Sequence, residues 1–463
     1  MLNYHLQKEK GKGKALYQNL YECLKQDILV GRIEAGSRIP SKREMAESHG
    51  ISVRTVMNAY DQLLAEGYLI SREKRGYFVA KIYEKNERIR KVLPQKGEDG
   101  ENLLVNFSSN HLIYERFPFS MWKKVMREVL TEYETELIER ADCCGVMQLR
   151  EAIASYLGRA RGMEVSAENI IIGSGVESLY GRLFKILPQD AIYAAETPGY
   201  RKIPWIYEDL HLNWCSVGMD EEGISMGELR KSGASVIHVS PEHHYPLGIA
   251  MTEKRKQELL EWESEYPDRY ILEDDYDCEF RYQSQMNSTL KSMDRHHRVI
   301  YMNTFGKTLA PGVRISYMVL PEKLMERCRE SANKFANPVS SCEQYTMAKF
   351  LNDGYFERHL RRMKMYCKES GQQLMRLLRA SQKLPVVEIT GGESGTHLLV
   401  KLDTDLTDMQ IRWAARQRGI GVSCLSQYCS FPEERYAKTL VMTYSNVDLD
   451  VLEEAVRRLE EIF

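Results

Sequence analysis

Apolar residues over the first 66 positions recur every three or four residues, which is the period of amphipathic helices. The pattern predicts helices over residues 15–29, 42–49 and 52–66. Ser41 is a suitable N-cap for the second helix, and Gly50 ends it. A helix, a short turn containing glycine and another helix form a helix-turn-helix, whose second helix enters the major groove of DNA.

Two short runs follow these helices, at 67–71 and 76–80, and each alternates apolar and polar residues as a strand does. The basic residues Arg72 and Arg75 lie in the connection between them. The pattern therefore predicts a two-stranded wing after the third helix.

Beyond residue 105 short continuous apolar runs alternate with helical stretches. Such runs are typical of strands covered on both faces, as in a mostly parallel sheet between helices. The predicted strands are 170–172, 191–195, 235–239, 270–272, 299–302 and 315–319. Helices over about 321–382 and a strand at 396–401 predict a smaller C-terminal subdomain. The fold class expected for this part is α/β.

Length and composition divide the chain further. At 463 residues it is too long for one ordinary domain. Residues 81–104 are highly charged and lack apolar periodicity, so they are predicted to be a linker. The expected organisation is a DNA-binding head at 1–80, a linker at 81–104 and a larger domain at 105–463.

Charge is unevenly distributed along the chain. Residues 1–80 hold 13 Lys and Arg against 9 Asp and Glu, whereas the chain as a whole has a net charge of −2. A basic head on an acidic body favours contact between the head and a phosphate backbone. No apolar run approaches the length of a membrane span, and the ten cysteines include no CxxC pair. We therefore expect a cytoplasmic protein with reduced thiols, no membrane partner and no metal site.

Two strand ends carry the residues of a cofactor pocket. Lys307 follows the strand at 299–302 in a turn of small residues, and Arg314 comes seven positions later. Such a lysine suits a Schiff base, and the arginine suits a phosphate. Asp274 ends another strand, where it suits a pyridinium nitrogen. Together these residues indicate a pocket for pyridoxal 5′-phosphate (PLP).

Two further turns belong with this pocket. Ser174, Gly175 and Val176 open a helix directly after a strand, where backbone N–H groups favour an anion such as phosphate. Tyr200 ends the segment Glu-Thr-Pro-Gly-Tyr at 196–200, and its ring could stack on an aromatic ligand. Each turn alone is more often structural.

The head resembles the winged helix of GntR-type regulators. The resemblance is carried by the sequence Ala-Gly-Ser-Arg-Ile-Pro-Ser-Lys-Arg-Glu-Met-Ala at 35–46 and by the segments 52–56, 59–63 and 66–70. It implies contacts with double-stranded operator DNA, namely phosphate contacts from Arg43, base-edge or phosphate contacts from Ser52, Arg54 and Thr55, and a minor-groove approach by Arg75 and Gly76. Val53 departs from the family, which usually has arginine there.

The larger domain resembles the fold-type I, class I aminotransferase domain of PLP enzymes, in the version that MocR/GabR-type regulators fuse to a GntR head. The resemblance is carried by the segments 117–122, 145–153, 196–200, 240–248, 273–282 and 307–314. It implies that Lys307 forms the Schiff base, that Asp274 pairs with the pyridine nitrogen and that Tyr276 donates to the phenolate oxygen. It also implies that Tyr200 stacks on the ring. The phosphate would be held by Arg314, Ser174, Gly175, Val176 and Thr304.

Several positions depart from this family pattern. Glu177 places a carboxylate where glutamine is common, and Arg140 stands where a tyrosine often reaches the partner subunit. Positions that often carry arginine for a substrate carboxylate hold Lys202 and, by loose alignment, Lys438 or Arg435. Lysine is a point charge rather than a bidentate fork. We therefore expect PLP binding to be retained and carboxylate recognition to be altered.

The resemblance implies a PLP-dependent transcriptional regulator that works as a head-to-tail homodimer. The effector would be a small amine, an amino acid or PLP itself. A working aminotransferase with a DNA-binding head is an alternative, although full turnover is doubted. A regulator that senses only PLP is a third reading.

Overall fold

The computed structural model describes residues 16–29, 32–33, 36–65, 68–72, 75–80, 103–109, 116–188, 190–282, 288–332, 335–392 and 394–463. The chain divides into two compact units, 1–101 and 102–463. The predicted DNA-binding head lies in the first unit, and the larger domain lies in the second. Residues 81–102 of the predicted linker lie outside the described ranges.

The head contains three helices and a three-stranded antiparallel sheet. Its helices and strands are α1 (Leu16–Leu29), β1 (Arg38–Ile39), α2 (Lys42–His49), α3 (Val53–Ala65), β2 (Leu69–Arg72) and β3 (Gly76–Val79). The three predicted helices and the wing are confirmed. The sheet order is β1-β3-β2, so the wing has a third strand that the sequence did not predict. With only two residues, β1 is too short to show the alternation of a strand.

Local capping explains where α2 begins and ends. The Ser41 side chain accepts from the backbone N–H of Glu44, and the Glu44 carboxylate accepts from the backbone N–H of Ser41. This reciprocal capping box satisfies donors that a helix start leaves unpaired. Gly50 ends the helix with φ +62°, a left-handed conformation that glycine adopts without steric cost. The boundaries of the helix-turn-helix are therefore determined locally.

The larger unit is an α/β domain with a small C-terminal subdomain. Its strands are β4 (Val105–Asn106), β5 (Ile170–Gly173), β6 (Ile192–Thr197), β7 (Asn213–Asp220), β8 (Gly223–Ile224), β9 (Val236–Val239), β10 (Tyr270–Asp274), β11 (Val299–Thr304), β12 (Ser316–Val319), β13 (Val386–Gly391), β14 (His397–Leu402), β15 (Ile420–Gly421), β16 (Ser423–Cys424) and β17 (Thr439–Thr443). Its α-helices are α4 (Phe119–Glu132), α5 (Glu134–Ile138), α6 (Met147–Arg161), α7 (Val176–Leu183), α8 (Lys202–Asp209), α9 (Met226–Lys231), α10 (Glu253–Ser264), α11 (Leu290–Met293), α12 (Glu322–Ala332), α13 (Ser341–Asn352), α14 (Tyr355–Ala380), α15 (Asp408–Gln417) and α16 (Leu452–Glu460).

The main sheet has the strand order β5-β12-β11-β10-β9-β6-β7-β8. Strands β11, β10, β9, β6 and β7 are mutually parallel, whereas β12 is antiparallel to both of its neighbours and β8 to β7. The mostly parallel sheet predicted from the apolar runs is confirmed. The sequence missed β7 because this strand lies near the sheet edge, is only partly buried and so mixes polar with apolar residues.

Helices cover both faces of this sheet, and the strand periodicity shows it directly. Ile170 and Ile172 pack in one hydrophobic cluster with α6 and α13, whereas Ile171 packs in another with α7 and α12. Successive residues of a strand point to opposite faces, so a strand buried on both faces must be apolar throughout. Those continuous apolar runs made the central strands predictable.

The C-terminal subdomain is built on the four-stranded sheet β13-β14-β17-β16 and on the helices α14 and α16. The predicted strand at 396–401 is β14, and the helical stretch at 321–382 is divided into α12, α13 and α14. Strand β4, at the start of the unit, pairs in parallel with β15. Among the described residues no helix is long and apolar enough to cross a membrane.

Candidate functional site

Lys307 lies three residues beyond β11, in a turn at the carboxyl edge of the main sheet. The side chain is buried, and its Nζ lies 6.0 Å from the centre of the Tyr276 ring. Burial lowers the pKa of Lys307 to about 8, although the negative charge of Asp277 opposes this shift. A substantial fraction of the amine is therefore neutral near physiological pH, as attack on a carbonyl requires.

Asp274 is the last residue of β10, which pairs in parallel with β11 and places Asp274 opposite Met302. Parallel strands end at the same edge of a sheet, so Asp274 and the Lys307 turn lie on that edge. One carboxylate oxygen, Oδ2, lies 3.4 Å from His238 Nε2. The other, Oδ1, is buried and accepts no hydrogen bond from any described residue. A buried acceptor of this kind suits the N–H of a protonated pyridine ring.

The residues on either side of Asp274 hold it in place. The Glu273 carboxylate accepts from the backbone N–H groups of Leu290 and Lys291, at 2.9 and 2.8 Å. Asp275 Oδ2 lies 2.8 Å from Arg161 Nη2 and accepts from the Tyr301 hydroxyl at 2.6 Å. Because hydrogen bonds and an ion pair hold the side chains of Glu273 and Asp275, the strand geometry determines the direction of the Asp274 side chain.

Tyr276 lies beside a buried histidine–aspartate pair that the sequence did not reveal. Its hydroxyl is 3.3 Å from His243 Nδ1, and that nitrogen is 2.9 Å from Asp277 Oδ2. Burial by itself would raise the pKa of Asp277, but His243 holds it below the ordinary value. His243 also packs against Gly395, where an added Cβ would lie 1.9 Å from the imidazole. The pair is formed by segments far apart in the chain.

The predicted phosphate cradle lies between β5 and α7. Gly175 has φ +97°, and a Cβ at this position would lie 2.2 Å from Arg314 Nη2. Arg314 Nη2 donates to the Ser174 carbonyl at 3.2 Å. The arginine, Ser174, Gly175 and the start of α7 at Val176 therefore lie together, with backbone N–H groups at a helix N-terminus beside a guanidinium.

A carboxylate lies inside this cradle. Glu177 Oε2 is 3.1 Å from Arg314 Nη2, and Glu177 Oε1 is 3.2 Å from Lys202 Nζ. Burial raises the pKa of Glu177, but a hydrogen bond from its own backbone N–H, together with Lys202 and Arg314, brings it below its ordinary value. The ionised carboxylate thus joins the predicted phosphate ligand Arg314 to the predicted effector ligand Lys202.

Thr304 and Tyr200 occupy other parts of the same region. Thr304 Oγ1 accepts from the Gly306 backbone N–H at 3.2 Å and from the Ser316 hydroxyl at 2.8 Å. The Tyr200 ring is 39% exposed and makes an edge contact with Tyr245, with the ring centres 6.2 Å apart. The large exposed fraction leaves part of the ring available to a ligand or a neighbouring chain.

The second predicted set of effector ligands makes different contacts. Arg435 pairs with Glu433 at 2.7 Å and lies over the Tyr436 ring. Lys438 has φ +56°, and its backbone N–H donates to Asp408 at 2.7 Å. These contacts are made within the C-terminal subdomain, and none of them involves Lys307 or the other candidate PLP residues.

One cluster outside this pocket has the atom types of a metal site. Side-chain atoms of Asp142, Cys143 and Cys144 lie within 4.8 Å of one another. Burial raises the pKa of the Cys144 thiol, and Asp142 Oδ1 already accepts the Cys144 backbone N–H at 2.8 Å. A protonated thiol and an occupied carboxylate are poor metal ligands.

The helix-turn-helix presents its predicted DNA contacts at the surface. Arg43 on α2 and Arg54 on α3 are exposed. The Ser52 hydroxyl accepts from the Thr55 backbone N–H at 3.1 Å and lies 2.8 Å from the Thr55 hydroxyl. Ser52 therefore caps α3, as predicted, and the two hydroxyls are hydrogen-bonded to each other.

The wing adds a cation that the sequence reasoning did not single out. Arg75 is exposed, and Gly76 has φ +98° at the start of β3. The Arg38 side chain lies over this glycine, since a Cβ there would be 3.4 Å from Arg38 Nε. Pairing between β1 and β3 creates this contact, which the sequence separation of the two strands concealed.

Each of the two units matches a known protein family. Residues 16–79 match the family "Bacterial regulatory proteins, gntR family", and residues 103–459 match "Aminotransferase class I and II". The HTH-type transcriptional regulator YdeL of Bacillus subtilis (strain 168) is 33% identical over 450 residues, which cover 96% of each chain. The chain belongs to the MocR-type transcriptional regulators. It thus joins a GntR-type head to an aminotransferase-like body, and that prediction is confirmed.

Other relatives share this architecture at lower identity. The probable rhizopine catabolism regulatory protein MocR of Rhizobium meliloti is 29% identical over 97% of this chain and 94% of its own. A crystal structure of kynurenine aminotransferase from Pyrococcus horikoshii superposes with a TM-score of 0.69 at 23% identity, covering 82% of this chain and 94% of that one. This structural likeness shows the fold of the body. Proteins of the aminotransferase class I and II fold typically bind PLP, and a GntR head implies DNA binding by a regulator.

Proposed function

We propose that this regulator binds PLP through Lys307. We propose further that its affinity for an operator changes when a small amine, an amino acid or PLP itself binds to the larger domain. The proposal rests on two buried groups that lie at the same edge of the main sheet. These are a lysine whose pKa is lowered to about 8 and an aspartate oxygen that no described residue satisfies. The same chain carries a DNA-binding head.

Each part of PLP has a candidate partner among the residues present. Asp274 would accept from the pyridine nitrogen, Tyr276 would donate to the ring oxygen, and Tyr200 would stack on the ring. Arg314, with Ser174, Gly175, Val176 and Thr304, would hold the phosphate. When bound, PLP supplies an aldehyde carbon for primary amines and a ring that withdraws electrons. The chain's own contribution is to orient that ring and to keep the lysine amine neutral.

The effector site would lie beside the cradle, around Lys202, while Arg435 and Lys438 remain candidates for a second contact. A ligand shifts a conformational equilibrium only if its binding free energy differs between the two states. We propose that the chain acts as a homodimer in a head-to-tail arrangement, as the family resemblance implies. Two heads would then read a repeated or palindromic operator. An effector that changes how the two bodies pack would then change the spacing of the heads.

The proposed function is tested by two measurements on the purified full-length protein. Absorbance titration with PLP, followed by candidate amines, reports cofactor binding and its response to ligands. Footprinting on the DNA upstream of the protein's own gene, with and without those ligands, reports the operator. Cofactor binding that leaves the footprint unchanged with every amine, and with PLP alone, would contradict the sensing role.

Two alternatives give different results in the same assays. Sustained conversion of an amino donor and a keto acid would identify a working aminotransferase, with which the lysine, aspartate and arginine set is compatible. A footprint that depends on PLP without any added amine would identify a regulator that senses the cofactor alone.

Glu177→Gln is expected to tighten PLP binding. The substitution removes a carboxylate within 3.1 Å of Arg314, where it repels an incoming phosphate and neutralises the guanidinium. Two exposed unit charges about 4 Å apart interact by about 1 kcal/mol in water, so we expect an affinity gain of about fivefold. A fluorescence titration of the apoprotein with PLP measures it.

Pyridoxal, which lacks the phosphate, is the control for this prediction. Its affinity should not change in the Glu177→Gln protein, because Arg314 gains nothing to bind. An equal gain for both ligands, or a loss for PLP, would show that Glu177 acts in another way.

Arg43→Ala is expected to weaken operator binding at every sequence to a similar degree. A phosphate contact releases counterions, so its removal should reduce the slope of log affinity against log salt by about one. Fluorescence anisotropy over a range of salt concentrations measures the slope. Arg32→Ala is the matched control, because this arginine is also exposed in the head but pairs with Asp27. A slope that changes equally in both variants would contradict the assignment.

A further inference from the structure

The reading helix α3 presents two apolar side chains to the solvent. Val53 is 47% exposed and Met57 is 38% exposed, and they lie one helical turn apart. The opposite face of α3 is fully used, since Val56, Ala59 and Leu63 are buried in the head's core. Val53 and Met57 are therefore not part of that core, and burying them would be favourable only against a partner.

The surroundings of this pair indicate nucleic acid as the partner. Both residues lie in the N-terminal half of α3, the part of a recognition helix that approaches base edges. Arg54 is exposed next to Val53, and Arg43 is exposed on α2, so the same helix-turn-helix also carries cations suited to phosphates. The hydroxyls of Ser52 and Thr55 are bonded to each other, whereas Val53, which follows Ser52, is 47% exposed to an approaching base.

We propose that Val53 and Met57 read the methyl group of a thymine in the major groove. The C5 methyl of thymine is the apolar group that a base pair exposes there, and apolar side chains recognise it by contact. Arg54, the next residue, would contact an adjacent phosphate or guanine. The inference rests on the proposed operator binding and goes beyond it by assigning a base preference to named side chains.

The test begins with binding-site selection, using the full-length protein and a random double-stranded DNA library. The strongest site is then synthesised with deoxyuridine replacing each thymine in turn, which removes one methyl group and keeps the base pairing. One position in each half-site should lose affinity by about fourfold to fifteenfold, the value of one or two buried apolar carbons. Unchanged affinity at every thymine would overturn the proposal.

Two variants complete the design. In Val53→Ser the difference between thymine and deoxyuridine at that position should disappear. Ile70→Ser, which alters another exposed apolar residue of the head, should keep the difference. An unaltered salt dependence of non-specific binding shows that each variant is folded. If Val53→Ser binds no DNA, the deoxyuridine series on the unmodified protein decides the question alone.

The outcomes separate this inference from the proposed function. If the unmodified protein enriches no DNA sequence, the proposed operator binding itself is contradicted. Enrichment without sensitivity to deoxyuridine would sink only the thymine contact. A change of oligomer mass in Val53→Ser, with deoxyuridine sensitivity retained, would assign the apolar pair to a protein contact and also overturn the proposal.

Discussion

Replacing Lys307 with alanine is expected to abolish the covalent retention of PLP completely. The lysine amine is the proposed attachment point, and its pKa of about 8 keeps part of it neutral under ordinary conditions. After incubation with PLP and reduction with borohydride, peptide mass spectrometry should find the cofactor on the Lys307 peptide of the unmodified protein. The Lys307→Ala protein should carry none, and its absorbance should be that of free PLP.

The matched control is Lys291→Ala, because burial also lowers the pKa of Lys291. Its ammonium donates to the Val299 carbonyl at 2.8 Å, a structural contact. This variant should retain PLP at Lys307. Retention in the unmodified protein should rise with pH through about 8, since the neutral amine reacts and its population grows as the proton is lost. A cofactor that stays bound covalently in Lys307→Ala would overturn the assignment.

Asp274→Asn is expected to weaken PLP binding by about 10-fold to 100-fold. The substitution keeps the shape of the side chain but removes the charge that would hold a proton on the pyridine nitrogen. A hydrogen bond to a charged group contributes about 1.5–3 kcal/mol, which corresponds to that range of affinity. A PLP titration followed by absorbance, carried out on the apoprotein, measures the change.

Asp275→Asn provides the contrast. Asp275 pairs with Arg161 and accepts from Tyr301, so its loss should lower the melting temperature of the apoprotein. The Asp274→Asn apoprotein should melt closer to the unmodified one, because Asp274 Oδ1 has no partner among the described residues and Oδ2 has only the 3.4 Å contact with His238. If Asp274→Asn lowers apoprotein stability as much as Asp275→Asn and leaves PLP affinity unchanged, Asp274 is structural.

Local patterns were sufficient for most of the secondary structure. The helices of the head follow from apolar periodicity and from the caps Ser41 and Gly50. The central strands of the body follow from apolar runs that are buried on both faces. Several strands were missed. Among them, β1 is too short to show a period, and β7 lies near a sheet edge that does not require apolar residues throughout.

For the candidate site, the sequence was sufficient to name residues but not their partners. Lys307, Asp274 and Arg314 could be chosen because each residue type suits one part of PLP and each lies next to a predicted strand. The His243–Asp277 pair could not be found, because the two residues are 34 positions apart and the segments that contain them, 240–248 and 273–282, do not indicate that these side chains meet. The contact of Arg38 with Gly76 has the same origin.

Glu177 illustrates the difference between what the sequence predicts and what the tertiary structure adds. From the sequence it is a departure from a family pattern, and its effect depends on whether its carboxylate points into the cradle. The tertiary structure brings it between Arg314 and Lys202, which come from different segments of the body.

The sequence by itself determined the two-part architecture, the helix-turn-helix, the apolar strands and the residue types of the candidate PLP pocket, because these depend on local periodicity and side-chain chemistry. Only the tertiary structure decided which charges meet, which carboxylate oxygen lacks a donor and which apolar residues of α3 face outwards. Those properties depend on distances between segments remote in the chain, and such distances follow from the packing of the whole sheet and its helices.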